Sequence, residues 1–498
     1  MFSFSFPNEH ICKEKELYFR EEDSKEANNL KKLSFDTYFN SFPLAQYLRY
    51  TKINNLQLDL SLSGSAKVEL CCSFLLKGKI KNQVIQSKST DENSCVSFNL
   101  KELDDIPKES IVYPVVYAEK FVTVTRGAWK TEWEKTADVR LAVVICTYKR
   151  EEFVYKNILS IPDSISDFAH IFVIDNGQSI ESEKIQKSFV TVFKNKNLGG
   201  SGGFTRGIME ALKRKTEFSH VLLMDDDIVF DPAVLDRTRA FLSCIKDEYK
   251  NAFLGGNLLR LDKQKIQYEN GGHYSWTFVK TPKSGLDLSK TENIIFNQTP
   301  AEINYFGWWY CCMPLAALDK NELPLPLFIK ADDIEYGMRL GKKLVFVNGI
   351  SVWHHAFDEK PAPYLSYYVL RNDFIVDAII IKRFLALKLS FRMALLLGKR
   401  LFTAPWSIEF IYQAVDDFLK GPDFLLELDG EKMNGQVRAM QKELEKKHKG
   451  GLYYWLTVPW KFLAISFMLF AKEKQLYDYG RRRLELTSWD SWSKRLGL

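Results

Sequence analysis

Several features that would assign this chain to a familiar class are missing from its sequence. None of its 8 cysteines belongs to a C-x-x-C pair, and two pairs are adjacent, at Cys71/Cys72 and Cys311/Cys312. This spacing suits neither a zinc site nor a disulfide framework, and it favours a reducing compartment. The first residues, "MFSFSFPNEHICKEKEL", lack the basic start and long apolar core of a signal peptide, so we expect a cytoplasmic protein.

Charge and length set further limits. The formal net charge of +6 over 498 residues is small, so it does not indicate a nucleic-acid partner. With 46% apolar and 27% charged residues the composition is that of a folded protein, and the length predicts about two to four domains. Basic residues are concentrated near the C-terminal end of the sequence, in "KELEKKHKG" and "GRRRLE". They form either a solvated face or a surface that is weakly attracted to anions.

One segment, residues 452–471, is about as long as a membrane span: "LYYWLTVPWKFLAISFMLFA". Lys461 and Pro459 interrupt it, and its two Trp residues and basic flanks fit a helix lying in the membrane interface. A buried helix in a C-terminal bundle fits equally well, so both interpretations stay open.

The chain changes character twice along its length. Residues 1–135 contain short, partly alternating runs such as "NLQLDLSLSG" and "SCVSFNLKEL", broken by Gly, Asn and Ser, which predict a β-sandwich. Residues 136–375 alternate apolar runs with helix-length segments, which predicts a doubly wound, mostly parallel sheet. Residues 376–498 have few turn residues and predict a mainly helical region. The predicted fold class is therefore multidomain α/β.

Polar clusters follow each predicted strand of the central region. The strands are "RLAVVICTYKR", "HIFVIDNG", "TVFKNKNLGG" and "HVLLMDDD". Their carboxyl ends carry Thr147 to Arg150, Asp175 with Asn176, Asn197 to Gly203, and Asp225 to Asp227. Ligands of such sheets bind beyond the carboxyl ends of the strands. The four clusters therefore predict one binding site at this edge.

The glycine segment "NLGGSGGFTRGI" does not match the known phosphate loops. A P-loop needs Lys-Ser/Thr after its last glycine, yet Ile208 follows Gly207, and the dinucleotide fingerprint needs glycine where Thr205 stands. What remains is a backbone that can approach a ligand closely, at the start of a helix whose N-terminus favours anions. A plain tight turn is the alternative.

The aspartate triplet Asp225 to Asp227 predicts a metal site. Adjacent carboxylates repel one another, and a hard divalent cation such as Mg²⁺ or Mn²⁺ would offset that cost while bridging a diphosphate. An exposed acidic turn is the alternative, but the preceding apolar strand makes the turn part of the sheet edge.

A second acidic cluster lies in "FIKADDIEYGMRLG", with Asp332, Asp333 and Glu335. A carboxylate there could remove the proton of an attacking hydroxyl, or could cap a helix N-terminus, and Asp332 could cap while Asp333 acts. In "VWHHAF", His354 and His355 point to opposite sides of a strand, and we expect His354 to be the metal ligand.

The order of these motifs resembles the GT-A glycosyltransferases of family 2, and more narrowly the bacterial galactofuranosyltransferases. The resemblance covers about residues 16 to 375, including the N-terminal β-sandwich. The matching pieces are "TYKR", "VIDNG", "NLGGSGGF", "MDDDI", "WWY", "FIKADDIEYGMR", "VWHHAF" and "YYVLRND". It implies a UDP-galactofuranose donor and inversion at the sugar carbon by single displacement.

The resemblance also implies residue roles. Asp333 is the general base, and the metal ligands are Asp225, Asp227 and His354. Arg150 contacts the uracil end of the donor. The polar clusters at the sheet edge and the resemblance together give the expected donor-binding residues: Thr147, Arg150, Asp175, Asn176, Asn197, Gly199, Gly200, Asp225 and Asp226. The acceptor side comprises Trp308, Trp309 and Asp332, the indole faces packing against sugar rings.

One position departs from the family pattern. The family usually has Trp directly before the acidic pair, whereas this chain has Ala331, which puts the acceptor and the number of sugars added in question. Another UDP-sugar donor such as UDP-glucose or UDP-galactopyranose, and a glycan-binding protein with a degenerate catalytic domain, are the alternatives. Nucleotidyl transfer lacks the expected basic glycine loop after the first strand, "VICTYKR".

The resemblance implies a lipid-linked or cell-surface glycan as acceptor. Together with the aromatic and basic C-terminal tail, it predicts a cytoplasmic enzyme held peripherally on the inner face of the bacterial cell membrane. We expect no nucleic-acid partner, and a homo-oligomer stays open.

Overall fold

The N-terminal part of the chain folds into two antiparallel sheets. The computed structural model describes residues 1–23, 31–90, 94–118, 122–132, 138–275, 278–355, 362–446 and 451–498. One sheet has the order β1-β9-β4-β7 and the other β2-β3-β8-β5-β6. The elements are β1 (Phe2–Ser3), β2 (Arg20–Asp23), β3 (Lys31–Ser34), α1 (Leu44–Tyr50), β4 (Leu56–Ser63), β5 (Ala66–Leu76), β6 (Lys79–Thr90), β7 (Cys95–Leu100), β8 (Ser110–Ala118) and β9 (Thr123–Lys130).

Alternation in the sequence explains the two-layered packing. In β4, every second residue from Leu56 to Leu62 is buried, and β7 shows the same period. Because side chains of a strand point to opposite faces in turn, one face of this sheet packs into the core. The prediction of an N-terminal β-sandwich is confirmed.

This sandwich shares one hydrophobic core with the central sheet. The side chain of Gln46 donates to the carbonyl oxygen of Phe346 at 3.0 Å and accepts from the N–H of Asn348 at 2.9 Å. Arg237, also buried, donates to the carbonyl oxygen of Phe39 at 2.8 Å. The expected border between residues 135 and 136 lies within 133–137, outside the described residues.

The central sheet has the strand order β12-β11-β10-β13-β18-β14-β15, with β19 pairing with β14. Strands β10 to β13 are parallel and β18 runs antiparallel, as in the expected GT-A (Rossmann-like) α/β fold, which is confirmed. The elements are β10 (Leu141–Thr147), α2 (Glu151–Ser160), β11 (Ala169–Asp175), β12 (Val190–Lys194), α3 (Gly199–Lys213), β13 (His220–Asp225), α4 (Ala233–Ser243), β14 (Phe253–Arg260), β15 (Gln267–Glu269), β16 (His273–Tyr274), β17 (Val279–Lys280), α5 (Thr291–Asn297), β18 (Tyr310–Pro314), α6 (Asp332–Leu340) and β19 (Leu344–His354).

Glycines let α3 lie very close to β10. A Cβ on Gly203 would come within 2.1 Å of the Cys146 sulfur, and one on Gly207 within 2.1 Å of a Val144 methyl. Either side chain would force helix and strand apart. The later glycines of "NLGGSGGFTRGI" therefore serve helix–strand packing.

The described residues after β19 are mainly helical, as expected. The helices are α7 (Leu365–Ile380), α8 (Leu385–Thr403), α9 (Ile408–Phe418), α10 (Pro422–Glu427), α11 (Gly430–Lys446), α12 (Gly451–Ala471), α13 (Glu473–Leu476), α14 (Asp478–Arg481), α15 (Arg483–Thr487) and α16 (Trp489–Leu496). Helix α7 runs without interruption across the expected border at residues 375 and 376. By length and composition α12 could cross a membrane, and most of its apolar stretch is exposed.

Candidate active site

The carboxyl ends of the parallel strands and the start of α3 surround one cavity of about 360 Å³. Parallel register brings them together, because it pairs Thr147 with Asp175 and Cys146 with Asp225. Eight of the nine residues expected to bind the donor line this cavity: Thr147, Arg150, Asn176, Asn197, Gly199, Gly200, Asp225 and Asp226.

The ninth residue, Asp175, is not among the residues that line the cavity. It is fully buried, and its carboxylate accepts hydrogen bonds from the N–H groups of Gly177 at 3.1 Å and Ile180 at 2.8 Å. These bonds hold the turn after β11 and so position the neighbouring Asn176. Direct contact of Asp175 with the donor stays a prediction.

Asparagine side chains fix the loop that leads into α3. Asn176 donates to the carbonyl oxygen of Gly199 at 3.0 Å and accepts from the Asn195 amide at 2.8 Å, while Asn197 accepts from the N–H of Gly199 at 3.1 Å. Gly199 has φ +73°, and a Cβ there would lie 2.0 Å from the carbonyl oxygen of Phe328. Only glycine fits this position.

Asp225, Asp227 and His354 form a candidate metal site, with one ligand atom from each within 4.8 Å of the others. The Nδ1–H of His354 donates to the carbonyl oxygen of His355, which leaves Nε2 facing Asp227 Oδ1 at 3.1 Å. Nitrogen and carboxylate oxygen at this distance need a proton or a cation between them. His355 itself is exposed.

The Asp225 carboxylate adds a second reason to expect a cation. It accepts no hydrogen bond from the part of the chain that the structure describes, and burial and the Asp227 charge raise its pKa to about 7. Two carboxylates and an imidazole fit Mn²⁺ or Mg²⁺, and the imidazole favours Mn²⁺.

The middle aspartate, Asp226, is bonded to the protein instead. It accepts a hydrogen bond from the Thr147 hydroxyl at 2.7 Å and from Arg150 at 3.0 Å, and Arg150 also pairs with Asp227. Burial raises the pKa of Asp226, whereas at Asp227 the His354 and Arg150 charges outweigh burial and lower the pKa. Arg150 is thus part of the acidic cluster in this structure.

Asp332 and Asp333 are the first two residues of α6. The Asp333 carboxylate accepts a hydrogen bond from the N–H of Ile334 at 2.8 Å, so the acid also serves the helix N-terminus. Burial raises the pKa of Asp333 to about 6, and burial together with the Asp333 charge raises that of Asp332. Glu335, the third acid of the cluster, is buried and paired with Arg339.

A backbone segment under local strain delivers Asp333 to the site. Phe328, Lys330 and Ala331 all have φ between +64° and +74°, which costs a non-glycine residue energy. Side chains of α7 hold this segment: Asn372 donates to the carbonyl oxygens of Ile329 and Lys330 at 2.8 Å each.

Further contacts tie the same segment to both sides of the site. Arg371 donates to the carbonyl oxygen of Leu327 at 2.9 Å, and the Ser201 hydroxyl of α3 accepts from the N–H of Phe328 at 3.0 Å. The pieces "YYVLRND" and "NLGGSGGF" therefore both hold the turn that precedes Asp333.

The two tryptophans expected on the acceptor side lie mostly in the core. Trp308 packs edge-on against Phe204 and Tyr336, and Trp309 donates from its indole N–H to the carbonyl oxygen of Gly256 at 3.1 Å. Each is less than a tenth exposed. Their sugar contact stays a prediction, which this burial does not favour.

Two groups of residues near the site were not predicted from the sequence. Glu269 of β15 is buried, one of its carboxylate oxygens has no partner among the described residues, and burial and the Asp333 charge raise its pKa to about 8. Helix α11 lines the cavity with Glu431, Asn434 and Arg438. No local motif marks either group; the Gly-Gly after "QYEN" is the only nearby signal.

Two family models match this chain, one over the N-terminal sandwich and one over the first part of the central region. One described as Galactofuranosyltransferase 2 N-terminal matches residues 8–132, and one described as Glycosyl transferase family 2 matches residues 142–257. The second match contains the aspartate triplet, whereas Asp333 and His354 lie beyond it.

Two curated relatives are similar over most of the chain. The galactofuranosyltransferase GlfT2 of Mycolicibacterium smegmatis is 27% identical over 392 residues, 72% of this chain and 59% of the relative. GlfT2 of Mycobacterium tuberculosis is 26% identical over 436 residues, 80% of this chain and 66% of the relative. The chain thus spans about three fifths to two thirds of these relatives. The solved structure of S. aureus TarS 1-349 matches 61% of this chain and 87% of its own, with 13% identity and a TM-score of 0.35.

Proposed function

Because the chain belongs to glycosyltransferase family 2, we propose that it transfers galactofuranose from UDP-galactofuranose to a hydroxyl of a cell-surface or lipid-linked glycan. The single observation that carries the proposal is geometric. One cavity at the sheet edge is lined by eight of the nine expected donor residues, and one of these, Asp225, belongs to the candidate metal site. The similarity to the two galactofuranosyltransferases supports the choice of sugar.

The proposed reaction is a single displacement with inversion. The acceptor oxygen forms a bond to the sugar carbon that carries the diphosphate, its proton passes to Asp333, and UDP leaves with the electron pair of the broken bond. A base must be unprotonated to accept that proton, and a pKa of about 6 leaves Asp333 mostly ionised at neutral pH. The single displacement requires one base and no covalent intermediate on the protein.

On the donor side, we assign the nucleotide to the cavity-lining residues. Arg150 is about half exposed while bonded to Asp226 and Asp227, so part of its guanidinium can reach the uracil end. Asn197, Gly199 and Gly200 bring backbone and amide groups to the start of α3, where a helix N-terminus favours phosphate. Thr147 and Asn176 complete this side, and Asp175 acts through the turn that it holds.

Asp225, Asp227 and His354 would hold a divalent cation, Mn²⁺ or Mg²⁺. The close approach of the Asp225, Asp227 and His354 ligand atoms and the orientation of His354 Nε2 toward Asp227 fit such an ion. Bound there, it would supply positive charge to the diphosphate leaving group. Asp226 stays with Thr147 and Arg150 and keeps the turn in shape.

The acceptor side is assigned to Asp332, Trp308 and Trp309. A lipid-linked acceptor agrees with the outer face of α12, where Trp460 and Phe467 are 75% and 74% exposed. Aromatic side chains on an exposed helix favour the membrane interface, so we place the protein peripherally on the inner face of the cell membrane. Trp460→Ser should weaken co-sedimentation with anionic vesicles; unchanged sedimentation would contradict this placement.

A donor screen tests the proposed function. Purified protein with Mn²⁺ and a panel of synthetic galactose-containing acceptors is given UDP-galactofuranose, UDP-galactopyranose or UDP-glucose, and the release of UDP and the product mass are measured. We expect acceptor-dependent product only with UDP-galactofuranose. The Asp333→Asn variant controls for hydrolysis of the donor, and product from another UDP-sugar alone would overturn the assigned donor.

A further inference from the structure

The cavity at the sheet edge has a wall that the helical region supplies. Glu431, Asn434 and Arg438 of α11 all line it, opposite the strand ends. Their spacing of three and four residues places them on one face of the helix. Tyr148 comes directly after β10, and its hydroxyl donates to the Glu431 carboxylate at 3.0 Å. This bond links the strand ends to α11.

Asn434 presents a hydrogen-bond acceptor without a donor. Its side-chain oxygen is buried, and no described residue donates to it. A buried amide oxygen normally has a partner, because leaving it unpaired costs free energy. A ligand N–H or O–H in the cavity would satisfy it, and the uracil and ribose of a nucleotide offer both.

Arg438 supplies positive charge on the α11 side of the cavity. The sheet edge contributes aspartates, and Arg150, the other arginine that lines the cavity, is already paired with Asp226 and Asp227. Arg438 donates to the Tyr364 hydroxyl at 2.8 Å and forms no ion pair within the described ranges of the chain. An anionic ligand in this cavity therefore meets its uncommitted positive charge at Arg438.

We propose that α11 is the second wall of the nucleotide site, with Arg438 binding the diphosphate and Asn434 accepting a hydrogen bond from the nucleoside. The bond between Tyr148 and Glu431 holds α11 at its correct distance from the strand ends. This inference rests on the proposed function, because it takes the ligand to be a uridine diphosphate.

Calorimetric titration of UDP and of uridine into the full-length protein with Mg²⁺ tests the assignment. We expect Arg438→Gln to weaken UDP binding about tenfold or more, as the loss of a charge-assisted hydrogen bond does, and to leave uridine binding unchanged. Asn434→Ala should weaken both ligands, and Arg438→Lys should retain part of the affinity. The matched control is Lys432→Gln, which removes the same charge from an exposed residue of α11 that does not line the cavity.

The outcomes separate the two proposals. If the unchanged protein binds UDP and both Arg438→Gln and Asn434→Ala bind it equally well, the assignment of α11 is wrong while the proposed function stands. If the unchanged protein binds no UDP, the proposed donor itself is wrong. Melting curves identify a variant that fails to fold, and in that case Arg438→Lys and Asn434→Ala decide between these results.

Discussion

Two groups of carboxylates in this protein are neutralised differently. Beside the site, Arg392 of α8 donates to Asp373 and lies 3.3 Å from Asp377, and the Tyr274 hydroxyl donates to Asp377 at 3.0 Å. At the sheet edge, by contrast, the carboxylate of Asp225 has no such partner in the described chain. We call the first group the arginine cluster and Asp225, Asp227 and His354 the metal cluster.

The difference separates a structural ion cluster from a binding site. Burial raises the pKa of carboxylates in both clusters, so both cost folding energy at neutral pH. The arginine cluster carries its counter-charge on the chain and is complete without a ligand. In the metal cluster Asp227 is paired with Arg150 and His354, whereas Asp225 forms no ion pair with a described residue. On the proposed function, a cation from solution would complete this cluster.

The largest effect is expected from removing the cation. Treatment with EDTA should abolish sugar transfer, and Mn²⁺ or Mg²⁺ should restore it. The same ion at about 100 times its Kd should stabilise the fold by about 2.7 kcal/mol, because it binds the folded state. Unfolding of the His354→Ala variant, followed with and without Mn²⁺, is the control, and a full response to Mn²⁺ in that variant would refute the ligand set.

Next in size is the loss of the base. Asp333→Asn keeps the shape of the side chain but cannot take a proton, so transfer should fall about 10³-fold. UDP affinity, measured by calorimetry, should stay within about twofold of the unchanged protein, because the base acts on the acceptor. The exposed Asp104→Asn of the N-terminal sandwich is the control. Substantial turnover by Asp333→Asn would remove the assignment.

A smaller effect, on stability rather than on rate, is expected in the arginine cluster. Arg392→Met leaves two buried carboxylates without their cation and should lower the free energy of unfolding by about 3–5 kcal/mol. Urea denaturation measures it, with the exposed Lys399→Met of the same helix as control. Adding Asp373→Asn and Asp377→Asn to the Arg392→Met variant should restore the free energy of unfolding, because it removes the unpaired charges. If Arg392→Met alone left the urea midpoint unaltered, the arginine cluster would not be a stabilising unit.

Sequence pattern was sufficient for the layers of this fold and for the edge at which the polar clusters meet. Period-2 alternation indicates the sandwich, and continuous apolar runs indicate parallel strands whose ends must meet at one edge. The aspartate triplet was singled out because carboxylates at a strand end cost energy and so point to a cation. The structure brings Asp225 and Asp227 close to His354, and metal binding by the three stays a prediction.

What sequence could not supply depends on long-range packing. Asn372 holds the turn before Asp333 through three-dimensional contact with carbonyl groups some 40 residues away, and asparagine in a helix carries no signal for this. Helix α11 enters the cavity from the far end of the chain for the same reason. For Trp308 and Trp309, the sequence favoured indole faces that pack against sugar rings. Long-range packing instead buries most of both side chains.

The smallest predicted effect concerns the charge around the base. Burial raises the pKa of Asp333 to about 6, and the Lys330 charge acts in the opposite direction. A base works only when ionised, so the proposed mechanism predicts a transfer rate that is full only well above pH 6, about half-maximal near pH 6 and lower below it. Lys330→Gln removes the charge that lowers the pKa, so the acid limb of the rate profile should move to higher pH. Exposed Lys320→Gln is the control, and a limb that stays in place or moves to lower pH would show that another group sets it.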